Sequence, residues 1–349
     1  MTPCTPAELA DAIRATPRVL AVGSRTKPRL SQVEDDVTLL SMRGMSGIVE
    51  YDPSEFTFTA LAGTSLREIV ATLAERGQYL PFDPPFVEAD ATLGGTVAAG
   101  LSGPGRFRYG GLRDFILGVL FVDGMGRLLR LGGKVVKNAA GFDVPKFLVG
   151  SLGRFGVLAE LTFKVFPCPP ATLTVRIPVE RISAALPIVT AAASARWEID
   201  ALDVSSAASA VFMRLRGPQS AIDVLAQEIL ARWHGEVLAP DEAAVFWENV
   251  QEFRWSGTSD VLAKFALTPN QLSMLDSTCC HISGGGNLAY VSEPEEITAE
   301  TLGARLGARG MILRGGHAAL WLGPQRDSGL SAAVKAAFDP QNRFPSLAS

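Results

Sequence analysis

The sequence predicts an α+β protein of two domains. Three observations predict it. Capped helices alternate with short apolar strands before residue 167. Pro167-Cys168-Pro169-Pro170 then interrupts any regular element, because proline lacks the backbone donor and fixes φ. Beyond it the pattern runs β-α-β-β-α-β, an order that forms antiparallel sheets with helices on one face.

Each element has a local reason. Thr5-Pro6-Ala7-Glu8 opens a helix to about Ala15, with Thr5 as cap, Pro6 in the first turn and Glu8 closing a capping box. Val19 to Val22 is a strand that ends in the polar loop Gly23-Ser24-Arg25-Thr26-Lys27-Pro28. Val49 to Tyr51 and Phe56 to Leu61 pair around the turn Asp52-Pro53-Ser54. Ser65 caps a second helix, stopped by Gly77. Phe115 to Val122 and Leu128 to Leu131 flank the hairpin signal Asp123-Gly124, and Val157 to Phe166 is a strong strand. In the second half the strands are Leu173–Ile177, Trp197–Val204, Val211–Arg216 and a short one at Val237, with helices Ile182–Ala193 and Ala221–His234. A looser copy follows Asp241, and Leu330–Phe338 reads as a closing helix.

Composition narrows the function. With 32 basic and 36 acidic residues the net charge is −4, which argues against a nucleic-acid binder. The four cysteines, Cys4, Cys168, Cys279 and Cys280, have neither metal-ligand spacing nor the density of a disulfide framework. Met1 to Leu20 shows no secretory signal, and no uncharged apolar run approaches the ~18–20 residues of a membrane helix. A cytoplasmic protein is expected, with any place at the inner membrane reached through partners.

The chemistry concentrates in glycines. Gly94-Gly95, Gly100, Gly103, Gly105, Gly110-Gly111 and Gly118 fall in one stretch, with few charges between Thr92 and Gly105. Glycine lets backbone N–H groups approach a ligand, and successive N–H groups form an anion nest. Thr92 is placed to cap a short helix through Gly94-Gly95-Thr96, aimed at the same anion. The bland alternative is a set of tight turns. Gly103-Pro104-Gly105-Arg106-Phe107-Arg108 fails the G-x-G-x-x-G fingerprint at its third glycine, and G-x-x-x-x-G-K-[ST] is absent.

The runs LPFDPP (80–85), ATLGGTVAAGLSGP (91–104) and GGLRDFILGV (110–119), with GKVVKNAAGFDVP (133–145) and GSLGRFGVLAELTFKVFP (150–167), resemble the FAD domain of the vanillyl-alcohol oxidase, or PCMH-type, family. The resemblance implies an FAD-binding domain of two α/β subdomains at 1–167 (about 1–48 and 49–167). It implies a cap at 168–328 with antiparallel sheet and helices on one face, and a tail at 329–349 returning to the FAD domain.

It also implies residue roles. Gly23, Ser24, Arg25, Thr26 and Lys27 form a first diphosphate loop. Pro84, Thr92, Gly94, Gly95, Thr96, Ala99, Gly100 and Ser102 wrap the pyrophosphate and one side of the flavin. Gly110, Gly111, Arg113 and Asp114 extend the cradle; Asn138, Gly141, Phe142 and Asp143 line the ring or support its loop; Gly156 and Val157 meet the adenine. Three residues depart from the pattern: Arg25 stands among expected glycines, Arg154 replaces a small residue, and Arg343 an apolar one. The three histidines, His234, His281 and His317, all lie in the second half, so the flavin is expected to be non-covalent. No metal site is expected.

His317 is the candidate base, since a histidine pKa of about 6.5 suits proton transfer; a structural role after the turn at 315–316 is the competing reading. Cys279-Cys280-His281 lies on a strand whose neighbours face opposite sides, so a shared metal is disfavoured. Trp247, Phe253 and Trp255 read as core or interface. The family implies an FAD-binding subunit of a glycolate-oxidase-like complex, with a larger paralogous flavin subunit and an iron–sulfur subunit as partners. The alternatives are a self-sufficient dehydrogenase of small 2-hydroxy acids and an assembly subunit whose flavin site has decayed.

Overall fold

The computed structural model describes residues 1–133, 143–294, 299–316, 320–323 and 329–346. Contacts divide the chain into two units. One is Met1–Ser102 with Gly111–Cys168 and Arg326–Ser349; the other is Gly103–Gly110 with Pro169–Gln325.

The first unit opens with helix Pro6–Ala15. Thr5 Oγ1 accepts the Glu8 N–H at 3.2 Å, as a cap should. Glu8 reaches one residue further back than a capping box requires, accepting the Cys4 N–H at 2.8 Å. Strand β1 (Val19–Val22) pairs in parallel with β2 (Thr38–Ser41). The remaining strands are β3 (Ile48–Asp52), β4 (Thr57–Leu61), β5 (Gln78–Tyr79), β6 (Ile116–Val122), β7 (Leu128–Gly132), β8 (Val157–Lys164) and β9 (Phe166–Pro167). Five of them form an antiparallel sheet in the order β3-β4-β8-β6-β7, while β5 pairs with β9. Central β8 and its neighbour β6 are the most buried, as their near-continuous apolar runs require. Phe58, Phe82, Phe115 and Phe163 pack together with ring centroids 5.7–6.1 Å apart. Each buried phenylalanine contributes roughly 1.5–3 kcal/mol relative to an exposed one.

The C-terminal tail joins this unit. Helix Gly329–Phe338 leads to Asp339, whose buried carboxylate accepts the N–H groups of Arg343 and Phe344 at 2.9 Å each. The Val19 N–H donates to the Arg343 carbonyl at 2.7 Å. The Arg343 guanidinium donates to the carbonyls of Ile13 and Thr16 at 3.0 and 2.6 Å. An arginine at this position is therefore a tie between the tail and the first helix.

The second unit carries β10 (Ala171–Pro178), β11 (Ile199–Ser205), β12 (Ala210–Gly217), β13 (Glu236–Val237), β14 (Val261–Ala266), β15 (Cys279–Ser283), β16 (Leu288–Glu293), β17 (Gly310–Arg314) and β18 (Trp321–Leu322). They form one antiparallel sheet in the order β13-β10-β12-β11-β15-β16-β14-β17-β18. Numbered within each copy, the first four strands run 4-1-3-2 and the next four 2-3-1-4. Two β-α-β-β-α-β units thus meet at their own second strands, through Val204↔Ile282 and Ser205↔His281. In the second copy a seven-residue 3-10 helix, Pro269–Leu275, fills the place of the first crossover helix. The main core, with Ile188, Val189, Ile222, Ile229, Met213 and Ile282 among its residues, lies between the sheet and the helices on one face. Helix Pro240–Gln251 packs on the opposite face, where Trp247 joins Phe212 and donates to Thr174 Oγ1 at 2.9 Å.

Candidate functional site in the first unit

A cavity of about 740 Å³, open to solvent, lies within the first unit. Strand β1 feeds one wall directly: Leu20 to Val22 lead into the loop Gly23–Lys27. Helix Leu93–Ala99 supplies another, with Thr92 Oγ1 accepting the Gly95 N–H at 3.2 Å. Two glycines make this meeting of loop and helix possible. A Cβ on Gly23 would lie 2.2 Å from Thr92 Oγ1, and one on Gly94 would lie 2.8 Å from the Ala62 Cβ. Any side chain at either place would push the walls apart.

The cavity brings together Gly23–Lys27; Thr92, Gly94, Gly95 and Ala99; and Gly156 with Val157. It adds Ala98 from the expected Thr92–Ser102 run, and residues the sequence pattern left out: Leu30, Ser31, Met42, Ala62, Leu152, Gly153 and Leu158. These are small or apolar side chains without a chemical signature, so only the fold could reveal them. Arg25 adopts φ 54°, the left-handed conformation that favours glycine. The loop thus keeps a glycine-like backbone at this position while carrying a cation into the lining.

The lining has two cations, Arg25 and Lys27, and no aspartate or glutamate. Lys27 is buried; its ammonium donates to Thr26 Oγ1 at 2.8 Å and sits 5.2 Å from the Phe86 ring centroid. Burial pulls its pKa down to about 8. Ser24 Oγ and Thr96 Oγ1 are buried without a hydrogen-bond partner among the described residues. Beside the lining, Arg154 is fully buried, and burial together with nearby Arg29 lowers its pKa to about 10. Buried hydroxyls without a partner and a buried lysine without an ion pair are costly, and an anion with several acceptor oxygens answers both needs.

The other expected residues fall elsewhere. Ser102 Oγ accepts the Leu112 N–H at 3.0 Å, so its hydroxyl ties down the turn that follows. Arg113 and Asp114 are exposed on the 3-10 turn Leu112–Asp114. Gly110 groups with the second unit. Asp143 caps helix Val144–Leu148, accepting the Lys146 N–H at 3.2 Å, and so supports its loop. Pro84 is buried in an irregular segment. Gly100 ends its helix with φ 63°. Asn138, Gly141, Phe142 and His317 lie outside the described residues.

In the second unit the sequence missed a polar row. Cross-strand register aligns Ser205, His281, Tyr290 and Lys264 on one face of the sheet. His281 Nε2 lies 2.9 Å from Asp203 Oδ2, and both side chains are buried. Burial and nearby Arg106 lower the Lys264 pKa to about 8; burial raises that of the Tyr290 phenol. These residues are scattered over four strands, which hides them from any linear motif. Cys280 is buried and Cys279 exposed, as opposite faces of a strand require, and among the described residues no cluster of histidine, cysteine or acid could hold a metal.

Comparison with known proteins gives this geometry a family. Residues 1–132 match the model of an FAD binding domain. The chain is 39% identical to glycolate oxidase subunit GlcE of Escherichia coli (strain K12) over 240 residues, 68% of this chain and 64% of that protein. It is 30% identical to glycolate oxidase subunit GlcD of Bacillus subtilis (strain 168) over 152 residues, 44% of this chain and 32% of that one. It is 31% identical to a D-lactate dehydrogenase of Anaerostipes hadrus over 144 residues, 41% and 30% of the respective chains. The chain therefore spans less than two thirds of the length of these relatives. Alkyldihydroxyacetonephosphate synthase shares its fold, with a TM-score of 0.69 at 16% identity over 98% of this chain and 74% of that one. Taken with the cavity, the match identifies residues 1–132 as an FAD binding domain, in a chain similar to glycolate oxidase subunits.

Proposed function

We propose that this chain is the FAD-binding subunit of a glycolate-oxidase-like complex. The observation that carries the reading is the cavity: an acid-free lining with a buried lysine, inside the segment that matches an FAD binding domain. FAD, when bound, supplies the two-electron acceptor for oxidation of a 2-hydroxy acid such as glycolate. The protein's part is to hold and shield it. Gly23, Gly94 and Gly95 admit the pyrophosphate to the backbone; Ser24 and Lys27 offer it side-chain donors; Leu152, Val157 and Leu158 exclude water from the apolar part. With no histidine before His234, the complex is non-covalent.

A larger paralogous flavin subunit and an iron–sulfur subunit are the proposed partners, on the likeness to GlcE and GlcD. Among the described residues no helix is long and apolar enough to cross a membrane. The experiment is a pull-down of the chain from cells carrying the partner genes, with a flavin spectrum of the eluate. Expected are co-purifying flavin and iron–sulfur subunits and FAD released by mild denaturation. A chain that takes up no flavin even with added FAD would leave only the assembly role.

A further inference from the structure

Lys27 combines three properties. It lines the cavity, it is buried, and among the described residues its ammonium makes no ion pair, only the hydroxyl contact with Thr26 and the face of Phe86. We propose that Lys27 receives the pyrophosphate as an ammonium group, so that cofactor binding is coupled to uptake of a proton by this side chain. The inference rests on the FAD site proposed above.

The surroundings explain why the proton is loosely held beforehand. Arg25 shares the cavity lining with it, and the segment carrying Phe86, whose ring lies against the ammonium, also carries the buried Asp83. No acid lines the cavity. Burial without a counter-charge disfavours the charged form and sets the ammonium near pKa 8. The pyrophosphate, with one negative charge on each phosphate, reverses this balance at contact distance. Below about pH 8 the lysine is already charged, and binding takes up little; above it, a proton must be acquired with the ligand. Arginine could not serve this purpose, since its guanidinium stays charged throughout the accessible range.

The test is a titration of the flavin-free full chain with FAD from pH 6.5 to 9.5, read by flavin fluorescence. Alongside it, calorimetry at pH 9 uses two buffers of different ionisation enthalpy. For the wild type, affinity should be flat at low pH and fall about tenfold per unit above about pH 8, with close to one proton taken up. Lys27→Met should bind more weakly, with a flat profile and no uptake. Lys27→Arg, if circular dichroism shows it folded, should bind with a flat profile. Wild-type binding that is independent of pH without proton uptake would overturn the coupling while leaving the FAD site intact. A Lys27→Met profile matching the wild type would overturn it too. No binding by the wild type at any pH overturns the FAD site, and the coupling with it.

Discussion

At the scale of single residues, Lys27 sets two opposite pH dependences. In the flavin-free fold its pKa stands near 8, below the usual 10.5. The unfolded chain therefore holds a proton between those values that the folded chain has lost, and stability rises with pH across that window by about 1.4 kcal/mol per unit. Lys264, also near 8, contributes in the same direction. The difference between wild type and Lys27→Met isolates the cavity lysine. We expect denaturant midpoints of the wild type to climb from pH 8 to 10 more steeply than those of the variant. The sequence showed that a lysine stood in a loop; it did not show that the loop buries it. Arg25 is the converse case. Its place among expected glycines was legible, and the left-handed backbone gives the physical reason glycines suit that place. His281 beside two cysteines invited a metal, yet its partner Asp203 lies 78 residues away and becomes a neighbour only through the strand register.

At the scale of elements, helices and strands were legible because their signals are local. The caps Thr5, Ser65 and Thr92 all accept the expected N–H groups. The Asp52-Pro53-Ser54 turn is held by Asp52 Oδ1 accepting from Ser54 and Glu55, and the hairpin after β6 by Asp123 Oδ1 accepting from Met125 and Arg127. The tail was less legible, since its value lies in carbonyls more than 300 residues away. Arg343→Ala removes donors from Ile13 and Thr16, and one lost buried hydrogen bond of this kind costs about 1–3 kcal/mol. All five tryptophans lie between Trp197 and Trp321, in the second unit. Arg343→Ala should thus lower the unfolding midpoint seen by far-ultraviolet circular dichroism more than the one seen by tryptophan fluorescence.

At the scale of the whole molecule, the chain passes between the units more than once. Gly103–Gly110 leaves the first unit's sequence to join the second. Phe107 packs on the main core of that unit, where a Cβ on Gly285 would lie 2.7 Å from its ring. Arg108 donates to the Glu198 carbonyl and carboxylate at 3.0 and 2.9 Å. Nothing in an eight-residue stretch of glycine, arginine and aromatics distinguishes a strap from a ligand loop, which is why the glycine-rich run read as one cradle. Phe107→Ala should destabilise the second unit by roughly 2–4 kcal/mol, read by tryptophan fluorescence in urea.

The joining of two half-sheets at their inner strands has a consequence for association. It leaves only β13 and β18 at the rims, each two residues long. Each covers only part of its neighbour: β13 pairs with Val175 and Arg176 of the eight-residue β10, and β18 with Gly310 and Met311 of the five-residue β17. A strand from another chain would find its template on β10 or β17 beyond those pairs, and not on the rim strands themselves.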